Sequence, residues 1–376
     1  MATYTIQQVD LSNARQVQTF LSLPFHIYRY IPQWVPPLQM EAARLLDARK
    51  NPFYAHSKAV FFLALEDGLR PVARLACLNN ARYNEYNDEA TAFFYLFESF
   101  DLPEASAQLF EVALTWAREQ GLNKMIGPKG FSALDGLGVL TEGFEYRPAL
   151  GIPYNPPWYP TLVEQAGFKM TIEILSGFVN RDFFMNQKID LIAQRVQERR
   201  GLRVARFRTR SDLRKLQPQL RELYNNAIQG TTGNYPITEA EAKSMADQLL
   251  WFADPKLIKI IMKEERPVGF LFAYPDISDA LQRTKGRLFP FGWLDLLISL
   301  RTTKLINVNG AGMIEEYRGS GGTAILFSEI RKSGQDSRYT QAEIVQISAD
   351  NERMLRELSG VGITFHKKHR MYARQL

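Results

Sequence analysis

Two stretches far apart in the chain, FFLALEDGLRPVARLACL and KLIKIIMKEERPVGFLFAY, each run apolar strand, charged turn, second apolar strand, and they share Arg-Pro-Val with Pro71 and Pro267 set 196 residues apart. A second match, LVEQAGFKM against ELSGVGITF, places Gly167 and Gly362 at an offset of 195. Both glycines follow a short helical pattern and precede β-rich sequence. Two separated matches near one offset mark a duplication, with a period far too long for a solenoid of stacked repeats. Both halves also open alike, with a short strand (YTIQQV; LRVARF) and then a helical pattern. The order within each half predicts an α/β (α+β) fold, two tandem layer structures that each wrap helices around a mixed, mostly antiparallel sheet. The length of 376 residues suits two domains with ordinary cores. The expected organisation is a first domain over 1–184, a linker helix over 185–200 and a second domain over 201–376. Residues 276–304 have no counterpart in the first half, and an insertion of that length is expected to be a lid or binding element.

With 45% hydrophobic and 23% charged residues, the chain is globular rather than disordered. No apolar run reaches the ~20 residues of a bilayer span, and MATYTIQQVD lacks a basic segment followed by an apolar one, so a soluble cytoplasmic protein is expected. The single cysteine, Cys77, lies in VARLACL; it excludes an internal disulfide and reads as a buried, inert thiol. The net charge of +6 is concentrated, with eight Lys or Arg between Arg199 and Lys215 against one acid, Asp212. Read as a strand, LRVARFRTR (202–210) puts Arg206, Arg208 and Arg210 on one face. A solvated face is expected there, and a surface for acidic partners, nucleic acid included, is the alternative. His366 and His369 fall on opposite faces of a strand, which argues against a metal pair, and no metal site is expected.

In EEYRGSGGTAILFSEI (315–330), Gly319, Gly321 and Gly322 precede an apolar helical run. Glycines turn the chain through positive φ, and the following helix aims unpaired N–H groups at the loop, a geometry suited to phosphate. The stretch LINVNGAGMIEEYRGSGGTAILFSEIRK (305–332) resembles the strand, loop and helix that bind acyl-coenzyme A in the GNAT superfamily of N-acyltransferases. The family loop runs Arg or Gln, two residues, Gly, one residue, then Gly or Ala. Arg318 and Gly321 fit it, while Thr323 replaces the small last residue. Asn351, eleven residues before Gly362 and Ile363, matches the asparagine that opens a later family helix. PFYAHSKAVFFLA, GPKGFSALDGLGVLTEGF and YNPPWYPTLVEQAGF look like segments of bacterial two-domain GNAT proteins of unassigned substrate. Gly136 and Gly138 make no dinucleotide fingerprint and are expected to shape a loop.

The resemblance implies an acetyl-CoA-dependent N-acetyltransferase that joins acetyl-CoA, as co-substrate, to an amine in a ternary complex. Met313 and Ile314 would hold the pantetheine arm. Arg318, Gly319, Ser320, Gly321, Gly322 and Thr323 would cradle the pyrophosphate, with Asn351 opening the adjacent helix. The family's general-base position corresponds to Asn307, an amide that cannot take a proton. Its general-acid position corresponds to Leu358, with Tyr372 as the substitute. Glu315 and Glu316 suit either the helix dipole or catalysis. In the first half the matching loop has no glycine and carries Asp101 and Glu104, which repel a pyrophosphate, so one coenzyme per chain is expected. The acceptor, a small molecule or other amine, is placed under the 276–304 insertion near the contact between halves. With the usual base and acid missing, a coenzyme A-binding regulatory protein is the alternative reading.

Overall fold

A computed structural model describes residues 3–229, 233–335, 337–360 and 362–376. Its strands are β1 (Tyr4–Gln8), β2 (Lys58–Glu66), β3 (Arg70–Asn79), β4 (Thr91–Ser99), β5 (Lys124–Gly127), β6 (Val139–Glu142) and β7 (Lys169–Val179) in the first half. The second half supplies β8 (Leu202–Ala205), β9 (Ile258–Lys263), β10 (Arg266–Pro275), β11 (Leu305–Met313), β12 (Gln341–Ser348) and β13 (Thr364–Gln375). The duplication is visible strand by strand, since hairpin β2–β3 repeats as β9–β10 and the parallel pair β4–β5 as β11–β12. The recurring glycines are explained by backbone: Gly167 and Gly362 both take left-handed φ, +83° and +86°, where a helical stretch turns into the last strand of its half.

The two halves do not close separate sheets. All thirteen strands form one mixed sheet in the order β1-β2-β3-β4-β5-β13-β7-β12-β11-β10-β9-β8, with β6 paired to β13 at the side. The last strands are exchanged: β13 fills the place beside β5, β7 the place beside β12, and the two lie antiparallel to each other at the centre. Polar residues are buried at this seam. Lys367 Nζ of β13 pairs with Glu343 of β12 at 2.5 Å and donates to the Arg147 carbonyl at 2.7 Å.

Apolar faces on both sides of the sheet explain the layers. Strands β2 and β3 are nearly all apolar and buried, as expected for strands covered on both faces. The helix Pro103–Glu119 lays Ala105, Leu109, Phe110, Ala113, Leu114 and Ala117 on one face of the first half, its alanines permitting close approach. The helix Ala14–Ile27 covers the other face with Phe20 and Leu23. The linker appears as the helix Lys188–Arg200, clamped to the helix Gly322–Gln335 by Arg331, whose guanidinium meets Asp190 at 2.6 and 3.0 Å. Among the described residues no helix is long and apolar enough to cross a membrane.

The arginine-rich segment differs from the strand expected over 202–210. β8 stops at Ala205, because Thr209 and Asp212 close a capping box that starts the helix Arg210–Lys215. Arg210 then donates to the Ala253 carbonyl at 3.0 Å, so the three arginines share no strand face.

Tyr372 is part of this exchange. It lies opposite Gly127 of β5, fully buried in the first half's core, and donates to Glu164 at 3.1 Å. Tyr372→Ala should therefore lower the unfolding free energy by about 3–5 kcal/mol, as for other large aromatic truncations in cores. Chemical denaturation should show that loss as one shifted transition for the whole chain; an unchanged midpoint would contradict a packing role.

Candidate functional site

The site begins where neighbouring strands part. β11 runs parallel to β12 only from Leu305 to Val308; beyond that point β12 pairs with β7 alone and β11 with β10 alone. A bulge helps drive the parting. Asn309 and Gly310 together oppose Phe272, and Gly310 has φ +111°, so the strand bends away from its neighbour. The first half has the same construction, with β4 leaving β5 after Phe93 and Leu96 at φ +52°. The residues lining the two wedges differ. Where β4 carries Leu96, Phe97 and Glu98, β11 carries Gly310, Ala311 and Gly312. Only the second wedge leaves room along the strand backbone.

The glycine loop sits at the end of that open wedge. Gly319 and Gly321 take φ +80° and +89°, which a residue with a side chain adopts only under strain. The backbone N–H groups of Gly319, Gly321, Gly322 and Thr323 have no acceptor among the described residues, and the last two open the helix Gly322–Gln335. The loop is held from three sides. A side chain at Gly321 would meet Val196 of the linker helix at 2.7 Å, and one at Gly322 would meet Met313 at 2.6 Å. Arg318 donates to the carbonyls of Met313 (3.3 Å), Ala227 (2.7 Å) and Gln229 (2.6 Å), so its guanidinium fastens the loop to the end of the helix Gln217–Ala227. Another cation stands nearer the glycines. An Nη atom of Arg353 lies 2.7 Å from where a Gly319 Cβ would be, and that arginine shares its helix with Asn351, whose Oδ1 caps it at Met354 N (3.1 Å).

A cavity of about 1190 Å³ lies between the halves. Tyr274 and Asn309 of the open wedge form part of its wall, and Asn309 Nδ2 donates to the Tyr274 hydroxyl at 3.1 Å. Apolar side chains dominate elsewhere, among them Phe25, Trp34, Leu249, Phe252 and Leu281. Among the carboxylates that line it are Glu98 and Asp135, both partly buried. Glu98 accepts from the hydroxyls of Tyr28 (2.6 Å) and Tyr159 (2.8 Å) and faces Arg74 at 3.6 Å. Burial raises its carboxyl above the ordinary range, and Arg74 opposes the shift. Asp135 is pushed up to about 6 by burial, against amide donors from its own loop such as Ser132 N at 2.8 Å. That loop is docked onto the wedge: two residues along, the Leu137 backbone exchanges bonds with the Gln346 side chain of β12, at 3.0 and 2.7 Å.

The structure therefore brings Met313, Ile314 and residues 318–323 together at the wedge and sets Asn351 on the neighbouring helix. It does not bring Asn307 or Tyr372 to the cavity. Asn307 is fully buried on the paired part of β11 and donates to Asp276 at 2.8 Å, while Tyr372 belongs to the first half's core. Arg353, Asp135 and Glu98 were not singled out from sequence; for Arg353 the available signal was its place two residues after the capping asparagine. The single cysteine is buried as expected, its thiol held protonated by desolvation.

No family model matches the chain. Protein YghO of Escherichia coli K12 is 28% identical over 372 residues, covering 97% of this chain and 94% of the relative. The bacterial ceramide synthase of Caulobacter vibrioides is 25% identical over 382 residues, covering 98% and 97%. Among solved structures, a tandem GNAT protein from the clavulanic acid biosynthesis pathway superposes with a TM-score of 0.57 at 10% identity, covering 99% of this chain and 98% of that one. Likeness along both halves, together with a wedge in each of them, makes this chain a protein of the tandem GNAT fold.

Proposed function

We propose that the protein is an acyl-CoA-dependent N-acyltransferase whose acceptor is an amine carried on a long apolar chain. The observation that carries this reading is a parted strand pair whose Asn309 also lines a large apolar cavity, and which leads into a glycine loop with four amides that have no acceptor among the described residues. The loop amides and Arg353 would bind the pyrophosphate, and the β11 backbone from Gly310 to Met313 would hold the pantetheine arm and orient the thioester. In transfer, the amine nitrogen attacks the thioester carbonyl, a C–N bond forms, the C–S bond breaks and coenzyme A leaves as the thiol. Asp135 is the proposed acceptor of the amine's proton, because it stands in the cavity wall beside the wedge and desolvation raises its carboxyl to about 6. The apolar lining supports a chain-bearing acceptor, and so does the relative named a ceramide synthase, since a ceramide is a long-chain amino alcohol acylated on nitrogen. An acetyl donor follows from the GNAT resemblance alone, whereas the ceramide synthase favours a longer acyl group.

One coenzyme site per chain is proposed, in the second half. Leu96, Phe97 and Glu98 fill the first wedge, and Asp101 and Glu104 stand at the start of the helix beyond it. Calorimetric titration of coenzyme A should give a single site, with Arg353→Glu weakening it about tenfold or more for loss of a charge-assisted contact. Two equivalent sites would mean that the first wedge is also open. Gly321→Trp should abolish binding, but its left-handed φ and the Val196 contact imply that the fold is destabilised too.

Coenzyme A release should be measured with acetyl-CoA and with a long-chain acyl-CoA against a sphingoid-type amine. The wild-type kcat/KM should rise with pH through about 6 as Asp135 loses its proton. Asp135→Asn should lower kcat about a hundredfold or more while coenzyme binding persists. Coenzyme binding without turnover of any amine would favour the regulatory reading.

A further inference from the structure

The insertion 276–304 presents an apolar surface that none of the described residues covers. It folds as two helices, Ser278–Thr284 and Gly292–Thr302. The inner side of the second helix, with Leu296 and Leu300, packs with Ile277, Ala280 and Leu281 against Val35, Leu38 and Leu150 of the first half. Its outer side repeats at helical spacing: Trp293, Leu294, Leu297 and Ile298 all face solvent, with Ile298 58% exposed. The turn before the helix adds Phe289 and Phe291, 74% and 72% exposed. A helix apolar on both sides is normally buried, and a contiguous patch of large side chains marks an interaction surface.

Charge identifies the occupant. Arg283, Lys285, Arg287, Arg301 and Lys304 flank the patch, against Asp295 as the single acid between 283 and 304. Asp295 is neutralised by Arg283 at 2.6 Å, which leaves four cations with no ion pair among the described residues. Of the nearby acids, Asp279 pairs with Arg147 and Glu41 with Arg44. A second copy seated by a twofold contact would set these cations against their own equivalents. Aromatic and aliphatic side chains ringed by unpaired lysine and arginine suit a bilayer surface bearing anionic headgroups.

We infer that this insertion is a monotopic docking element, which seats the protein on an anionic lipid bilayer through Phe289, Phe291 and the outer face of the helix Gly292–Thr302. The seat adjoins the cavity. Gln282, Lys285 and Arg287 line both, and Gln282 is fastened to the first half by bonds to the Pro32 and Trp34 carbonyls at 2.8 and 2.9 Å. Exposed Tyr30 and Met40 stand in the segment that the insertion grips through Gln39. Segments 29–40 and 282–287, joined by these bonds, thus connect the docking surface to the cavity wall. Docking concerns the surface alone and holds whatever the transferred group is.

The test is co-sedimentation of the full chain with vesicles of phosphatidylcholine alone and of phosphatidylcholine with phosphatidylglycerol. Binding is expected to be about tenfold or more tighter to the anionic vesicles and to weaken with salt. The double variant Phe291→Ser/Ile298→Ser should lose partitioning about a hundredfold, since two large side chains no longer enter the lipid. Coenzyme A titration of that variant should match the wild type, which separates this proposal from the reading of the site. Absence of vesicle binding by the wild type, or undiminished binding by the variant, would overturn it. So would a wild-type dimer in sedimentation analysis that the variant dissolves, because the patch would then belong to a second copy.

Discussion

Antiparallel pairing of β7 with β13 is the contact on which the rest of the molecule depends. Each of these strands completes the sheet of the half it did not come from, so neither half has a closed core without the other. The pairing places two wedges in one continuous sheet and sets the cavity between them. The cost of burying charge at the seam is met locally. Burial raises the Glu343 carboxyl and lowers the Lys367 ammonium, and direct pairing of the two holds each charge in place.

Duplication gave the fold two equivalent wedges, and side-chain size decides which one stays open. The bulges that splay β4 and β11 are matched in position. One of them carries Leu96, Phe97 and Glu98; in the other a side chain at Gly310 would meet nothing within 4 Å, while Phe270 covers Gly312. The first half lends Leu96, Phe97 and Glu98 to the cavity wall. Its Glu98, held by Tyr28, Tyr159 and Arg74, contributes polarity to a cavity that the second half reaches from the opposite side.

Features set by local backbone chemistry were legible in the sequence. The repeat was readable because both copies need a left-handed residue at the same turns, Asp67 and Glu264 after the hairpin strands and Gly167 and Gly362 before the exchanged ones. The glycine loop was readable for the same reason. Strand exchange was not, since β13 carries no mark saying whether its partner is β12 or β5. The arginine segment was misread because alternation over 202–210 looked like a strand, while the Thr209–Asp212 capping box that ends it is a helix signal. Asp135 acquires its place from contacts between remote segments, and neither residue type nor spacing announces it, whereas Arg353 was marked only by its distance from Asn351.

The exchange also bears on how the chain reaches this structure. β13 is synthesised after all twelve other strands, yet it is needed beside β5, near the beginning. Through most of synthesis the β5 edge and the apolar faces around Phe94 and Phe168 lack their final neighbour. Closing the sheet joins segments separated by most of the chain, a topology that slows folding and prolongs exposure of an unpaired edge. The arrangement that gives the fold its shared cavity is thus also the one that the order of synthesis completes last.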